Sequence, residues 1–159
     1  MNRELSASAQ KVQDALSALG LDFQVVELPS STRTAQEAAQ TIGCIVGQIV
    51  KSLVFCTQPS KQPILILASG SNRVNEKKIG AIIAEPIEKA NADFVREKTG
   101  FAIGGVPPVG HKEKIATYID EDLLLYEELW AAAGTANAVF RLNSTDLERI
   151  TGGKIIAIK

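Results

Sequence analysis

The centre of the predicted fold lies in the stretch IVKSLVFCTQPSKQPILILA, residues 49–68. Two runs rich in apolar and β-branched residues, 49–57 and 63–68, flank a polar segment at Gln58 to Lys61. Such a pattern predicts a β-hairpin. Both runs are almost continuously apolar, so we expect other elements to cover both faces of their sheet.

Helices are predicted on both sides of this hairpin. Apolar residues at helical spacing indicate a helix over 7–19 that ends at Gly20. Thr34 and Glu37 form a capping box for a second helix that ends at Gly43. Further helix starts are expected from residues that cap helices well, namely Asn75, Asn91 and either Ser144 or Thr145.

The remaining chain supplies more strands and one irregular segment. Strands are predicted near residues 23–26, 115–119, 139–142 and 155–158, with a turn over 30–32 and an irregular segment over 101–111. Residues 123–133 fit either a helix or a strand. Because strands and helices do not alternate regularly, we expect an α+β fold in one domain over 1–159, with helices packed outside a mixed, curled, barrel-like sheet.

Composition indicates an ordinary cytosolic protein. The chain has 159 residues, of which 45% are apolar and 22% charged, and no run approaches the ~20 apolar residues of a membrane span. Residues 1–4 lack the apolar core of a signal peptide. We therefore expect a cytoplasmic location, with Cys44 and Cys56 reduced and buried rather than bridged.

Several classes of site are excluded by what the sequence lacks. The formal net charge is −1, which argues against a general DNA-binding protein. The single histidine, His111, and the absence of a G-x-S-x-G turn leave no ordinary catalytic triad. Three widely spaced Cys and His residues do not make a structural zinc site, and no nucleotide-binding glycine loop is present. We expect neither a metal nor a cofactor.

Lys51 is the first residue that stands out, because it interrupts a strand otherwise suited to burial. Strand alternation places it on one face with Leu53 and Phe55, and places Ser52 on the other face. In one interpretation the lysine stem lies along the strand while the amine stays in water. In the other, its ammonium lines a pocket and faces a carbonyl or phosphate oxygen.

A second feature is the glycine- and proline-rich loop of residues 104–110, GGVPPVG. Its prolines fix the main chain and its glycines permit tight turns, so the loop can be rigid and still offer amide groups to a ligand. A structural turn is an equal alternative. His111 follows this loop as a structural or surface residue, and Arg73, Lys77 and Lys78 form either a solvated face or a phosphate contact.

In order and spacing, these residues resemble the family of YbaK and prolyl-tRNA-synthetase-associated domains, which are trans-editing aminoacyl-tRNA deacylases. The resemblance covers about residues 7–158 and is carried by segments 34–39, 50–55, 70–74, 99–111 and 132–142.

The resemblance implies hydrolysis of a small or near-cognate amino acid from the 3′ end of mischarged tRNA, without metal or cofactor. It implies that Lys51 is catalytic and holds the terminal phosphate or the ester carbonyl, while amides of Gly104, Gly105 and Val106 bind the aminoacyl group. The remaining substrate-binding residues that we predict are Ser52, where some relatives carry asparagine, together with Thr34, Pro107, Pro108 and Gly110. The predicted tRNA-binding residues are Arg73, Lys77, Lys78 and His111. The expected partners are the tRNA acceptor end and a synthetase, but no DNA or membrane, and the alternative function is a non-catalytic module that binds aminoacyl-tRNA or a synthetase.

Overall fold

The computed structural model describes residues 5–30 and 34–159. Residues 1–4, on which the prediction of no signal peptide rests, lie outside this range. Most of the turn predicted over 30–32 also lies outside it. No helix among the described residues is long and apolar enough to cross a membrane.

Five α-helices lie in the described residues, and three of them begin at the predicted caps, whereas α5 is capped by Asn143, one residue before the predicted start. The side chains of Thr34, Asn75 and Asn91 each accept a hydrogen bond from the main-chain amide three residues later. Gly43 and Gly100 end two of the helices with left-handed backbone conformations. The helices are α1 Ala7–Ala18, α2 Ala35–Ile42, α3 Glu76–Ile83, α4 Ala92–Thr99 and α5 Ser144–Thr151.

Eight strands in the described residues form one mixed sheet in the order β1-β7-β6-β2-β3-β5-β8, with β4 also paired to β2. The α+β class is confirmed. β1 and β8 are the two ends of this order, so the sheet is open and does not close into a barrel. The strands are β1 Val25–Glu27, β2 Ile49–Thr57, β3 Pro63–Ser69, β4 Ile87–Lys89, β5 Ala116–Asp120, β6 Glu128–Ala132, β7 Ala138–Asn143 and β8 Lys154–Ile156.

The predicted hairpin is the centre of this sheet. β2 and β3 pair antiparallel from Val50↔Ser69 to Cys56↔Pro63. The ambiguous residues 123–133 divide into the end of a 3₁₀ helix, Glu121–Leu125, and strand β6. Strand β4 was not predicted, because it is three residues long and two of them are charged.

Both faces of the hairpin are covered, as the continuous apolar runs predict. On one face, Val54 and Leu65 pack in a cluster that also includes Leu16 of α1. On the other face, Phe55 and Ile66 belong to a second cluster, which includes residues of α3. Burial of each such large side chain stabilises the fold by about 1.5–3 kcal/mol. Both cysteines are free; Cys56 is buried, whereas Cys44 is only half-buried.

One edge of β2 is interrupted in a way that positions the site. β3 covers the first edge throughout, but the second edge pairs with β6 only at Ile49 and Val50, and with β4 only from Phe55 to Thr57. The carbonyl of Val54 faces this second edge, because it accepts a hydrogen bond from Ala90 N at 3.2 Å. Main-chain groups alternate in direction along a strand, so those of Ser52 face the same edge. No described strand pairs with the gap from Lys51 to Leu53.

Candidate functional site

A cleft of about 590 Å³ opens at this gap in β2. Its wall combines residues of α2, β2, β6 and β7 with the turn after β3 and the glycine–proline loop. That volume lies within the range of about 300–1,000 Å³ that is usual for small-ligand sites. Apart from Lys51 and Arg73, the described residues of the wall carry no charged side chain.

Lys51 lies in the wall of this cleft and is half-buried. Its Nζ donates a hydrogen bond to the main-chain oxygen of Asn72 at 2.5 Å. A lysine ammonium has three N–H donors, so two remain for a ligand oxygen in the cleft. This geometry agrees with the pocket-lining interpretation of Lys51 rather than with a side chain that extends into bulk water.

The surroundings of Lys51 lower its pKa below the ordinary lysine value. Burial is the largest cause, because it disfavours the charged form, and the cations of Arg73 and Lys89 act in the same direction. The carboxylate of Asp120 opposes them by favouring the ammonium. The positive charge at Lys51 is therefore held in a partly desolvated place, where it interacts more strongly with an anionic ligand than it would in water.

Ser52 supplies a different kind of polar group to the wall. Its main-chain N–H and C=O face the unpaired edge, and its Oγ is buried with no hydrogen-bond partner among the described residues. A buried hydroxyl without a partner costs free energy of about 1–3 kcal/mol. Because that hydroxyl is enclosed, the groups of Ser52 that a polar ligand could contact are its main-chain N–H and C=O at the unpaired edge.

The glycine–proline loop contributes only part of its length to the cleft. Gly104 and Val106 lie in the wall, whereas Gly105, Pro107, Pro108 and Gly110 lie outside it. Gly105 N donates to Ala102 O at 3.0 Å, and its carbonyl accepts from Gly134 N at 2.8 Å. The Gly105 amide therefore already has a partner, Ala102, just before the loop, and its contact with a substrate stays a prediction.

His111 does not line the cleft, and it contacts the glycine–proline loop on the side that faces away from the cleft. Its Nε2 lies 2.7 Å from the carbonyl oxygen of Pro107. Burial lowers the pKa of His111, although the bond to Pro107 partly opposes that shift. A neutral imidazole with its proton on Nε2 can donate to Pro107, so His111 holds the loop rather than lining the cleft.

The other predicted residues separate into two groups. Thr34 and Arg73 lie in the cleft wall, in addition to the N-cap role of Thr34. Lys77 and Lys78 are exposed on α3 outside the wall, and Lys78 Nζ donates to the main-chain oxygen of Lys159 at 3.0 Å. The structure therefore brings Arg73 to the mouth of the site but leaves the two lysines of α3 on another surface.

Sequence reasoning missed several residues of the wall. Asn72, Gln36 and Trp130 all line the cleft, and Asn72 is the partner of Lys51. Asn72 and Gln36 lie within segments that carried the family resemblance, and this was the available indication of their importance. Trp130 lies in the stretch whose secondary structure was ambiguous from the sequence.

The arrangement suits chemistry that depends on charge and orientation. No three His, Cys, Asp or Glu side chains in the described part of the chain are grouped so that they could hold a metal ion. A cation, a strand edge and a rigid loop instead surround an open cleft. The fold and site together define an α+β protein with an open cleft, lined by the cations of Lys51 and Arg73, at a break in its sheet.

Comparison with known proteins identifies the family. Residues 29–150 match the model of the aminoacyl-tRNA editing domain, and the chain belongs to that family, which confirms the resemblance seen in the sequence. A crystal structure described provisionally as a trans-editing enzyme for prolyl tRNA synthetase is 51% identical, covers 98% of this chain and 99% of its own, and superposes with a TM-score of 0.92.

Two curated bacterial proteins are also similar to this chain. The uncharacterized protein YwhH of Bacillus subtilis is 31% identical over 131 residues, which are 82% of this chain and 83% of YwhH. The proline–tRNA ligase of Elusimicrobium minutum is 31% identical over 129 residues, 80% of this chain. The match spans only 21% of that ligase, so the similarity concerns one part of a larger enzyme.

Proposed function

We propose that the protein hydrolyses the ester between a wrongly attached amino acid and the 3′ end of tRNA, as a deacylase that acts in trans. The observation that carries this proposal is the Lys51 ammonium, held by Asn72 in the wall of a cleft that also contains Gly104 and Val106. Family membership supports an editing role. The hydrolysis itself, its substrate and its residues are the proposed part.

The chemistry needs no covalent nucleophile. An aminoacyl ester is already activated, so orientation of the ester and stabilisation of the developing oxyanion suffice to accelerate attack by water. Lys51 has two N–H donors left for the ester oxygen or the adjacent phosphate. Arg73, at the edge of the same cleft, is placed to meet another phosphate of the acceptor end.

The substrate that we propose is tRNA(Pro) carrying a small aliphatic amino acid. Two of the related proteins concern prolyl-tRNA synthesis, which makes tRNA(Pro) the first candidate. Small apolar groups from β6 and β7 line the inner wall, namely Ala131, Ala132 and Val139. Since an apolar pocket discriminates one methylene by only about 1–3 kcal/mol, we expect graded rates across alanine and 2-aminobutyrate rather than a single substrate.

The test is release of amino acid from a panel of tRNAs charged with radiolabelled correct or incorrect amino acids. We expect multiple turnover on at least one mischarged tRNA, and a loss of about 10²–10³ in rate for Lys51→Ala with unchanged circular dichroism. Lys154→Ala is the matched control, because Lys154 is an exposed strand lysine of β8, outside the cleft. Its rate should equal that of the wild type.

Binding must be measured beside turnover. A wild-type protein that binds charged tRNA but releases no amino acid across the panel contradicts hydrolysis and favours a binding module. A Lys51→Ala variant with nearly native turnover removes Lys51 from the proposed chemistry, even if the enzyme is active.

A further inference from the structure

A buried carboxylate behind the cleft is not explained by the proposed chemistry. Asp120, at the end of β5, is 1% exposed and does not lie in the cleft wall. None of the ion pairs in the described part of the chain includes it. Burial of a charged carboxylate is costly unless hydrogen bonds or a cation compensate for it.

Hydrogen bonds to Asp120 come from neutral donors, and they converge on the turn after β3. Its Oδ2 accepts from Ser69 N at 3.0 Å and from the side-chain amide of Asn72 at 2.8 Å. Its Oδ1 accepts from Asp122 N at 3.0 Å, at the start of the 3₁₀ helix. One carboxylate therefore joins the end of β3, the following turn and the segment after β5.

Asn72 connects Asp120 to Lys51, because its side chain bonds Asp120 and its main-chain oxygen bonds Lys51. Its side-chain amide also donates to Asp122 Oδ2 at 2.8 Å, and its main-chain N donates to Ser69 O at 2.9 Å. With its side chain and amide both fixed, the carbonyl of Asn72 points at Lys51 Nζ. The residue is only 9% exposed, so water offers little competition for these bonds.

We infer that Asp120 is a positioning residue of the editing site: it fixes the Asn72 turn, and through the Asn72 carbonyl it holds the Lys51 ammonium against the cleft. The expected effect of Asp120 on deacylation rests on the proposed function, whereas its effect on the position and titration of Lys51 does not. Asp120 acts through Asn72 and through its charge, and does not itself touch the substrate.

The same carboxylate also favours the charged form of Lys51. Three charged groups act on Lys51 from the surrounding elements: Arg73 from the turn after β3, Lys89 from β4 and Asp120 from β5. Asp120 alone raises the pKa of Lys51, while the two cations lower it. Removal of the Asp120 charge should therefore move the Lys51 titration to lower pH, which loss of a purely structural cap would not do.

The experiment compares Asp120→Asn with the wild-type protein in two measurements. The first is the pH titration of the Lys51 side chain by NMR on protein labelled with ¹³C-lysine, assigned with Lys51→Arg. The second is steady-state deacylation. We expect the Lys51 titration to move to lower pH in Asp120→Asn, and kcat to fall roughly ten- to a hundredfold with KM changed less than about twofold.

Two further variants keep the result interpretable. Asp146→Asn is the matched control, because Asp146 also accepts a main-chain N–H at the start of a helix, α5, but its bonds go to Asn143 and Arg149 rather than to the Asn72 turn. It should leave both readouts unchanged. Asn72→Ala keeps the main-chain carbonyl but removes the amide that Asp120 holds, and should reproduce the fall in kcat even if Asp120→Asn folds poorly.

The outcomes separate this inference from the proposed function. An active enzyme whose kcat and Lys51 titration are both unchanged in Asp120→Asn overturns the positioning role and leaves deacylation intact. If the Lys51 titration shifts in Asp120→Asn but the wild-type protein has no activity on any charged tRNA, the positioning role of Asp120 is supported and the proposed function is contradicted.

Discussion

Gly105→Ala provides a direct test of how tightly the glycine–proline loop must sit against the rest of the site. A Cβ added at Gly105 would lie 2.9 Å from the carbonyl carbon and oxygen of Gly134 and from Thr135 N. All three are main-chain atoms, which cannot rotate away as a side chain could. The loop or the turn at Gly134 must therefore move.

The expected losses of stability and of deacylation rate follow from the contacts that such a shift would break. Forcing an extra methyl group into a packed region costs about 1–3 kcal/mol. The hydrogen bond from Gly134 N to Gly105 O, 2.8 Å long, contributes about 0.5–1.5 kcal/mol and would lengthen as the two segments separate. Since Gly104 and Val106 in the cleft wall move with Gly105, a displacement of about 1 Å should lower deacylation about 10²-fold.

The assays are urea unfolding followed by fluorescence and deacylation under single-turnover conditions. We expect a loss of about 1–3 kcal/mol in the free energy of unfolding, together with the loss in rate. Gly153→Ala is the control, because the three atoms nearest its added Cβ, at 3.0 Å, belong to the side chains of Ile119 and Thr117 rather than to the main chain. Wild-type stability and turnover in Gly105→Ala would refute the argument that close main-chain approach sets the position of this loop.

Three further predictions concern other parts of the site. His111 has a lowered pKa in the folded state, so the unfolded chain binds more protons near pH 6; the free energy of unfolding should fall as pH drops through about 6.5, and this dependence should weaken in His111→Gln. Lys51 should act as an ammonium, so the ratio of enzymatic to spontaneous deacylation should fall as pH rises through its lowered pKa, whereas a rising ratio would indicate a neutral amine acting as a base. Thr34→Ala should destabilise the protein by about 0.5–2 kcal/mol in thermal or urea unfolding, because Thr34 Oγ1 accepts from Glu37 N; Thr34→Ser should retain most of that stability.

Features set by neighbouring residues in the chain could be read from the sequence. The β2–β3 hairpin depends on two apolar runs and one polar turn, and the helix starts at Thr34, Asn75 and Asn91 depend on a side chain and an amide three residues away. Strand β4 could not be recognised in this way. Its three residues include one apolar side chain, and it is a strand only because β2 offers it an edge.

The contacts within the site were harder to predict from the sequence, because they join segments that are distant in the chain. Lys51 could be singled out as a charge within an apolar strand, but its partner is a main-chain carbonyl 21 residues away. The bond between Asn72 and Asp120 spans 48 residues. Likewise, nothing in the local pattern of Gly105 indicates that its carbonyl accepts a hydrogen bond from the distant Gly134 N.

The interruption in β2 also bears on how the molecule avoids self-association. Free strand edges attract strands from other molecules, and long exposed ones lead to aggregation. On this edge of β2 the free stretch extends only from Lys51 to Leu53, and β6 and β4 occupy the same edge on either side. A foreign strand would collide with these neighbours before it could form a continuous ladder, so this gap in β2 exposes main-chain groups to a small molecule while remaining a poor template for strand addition.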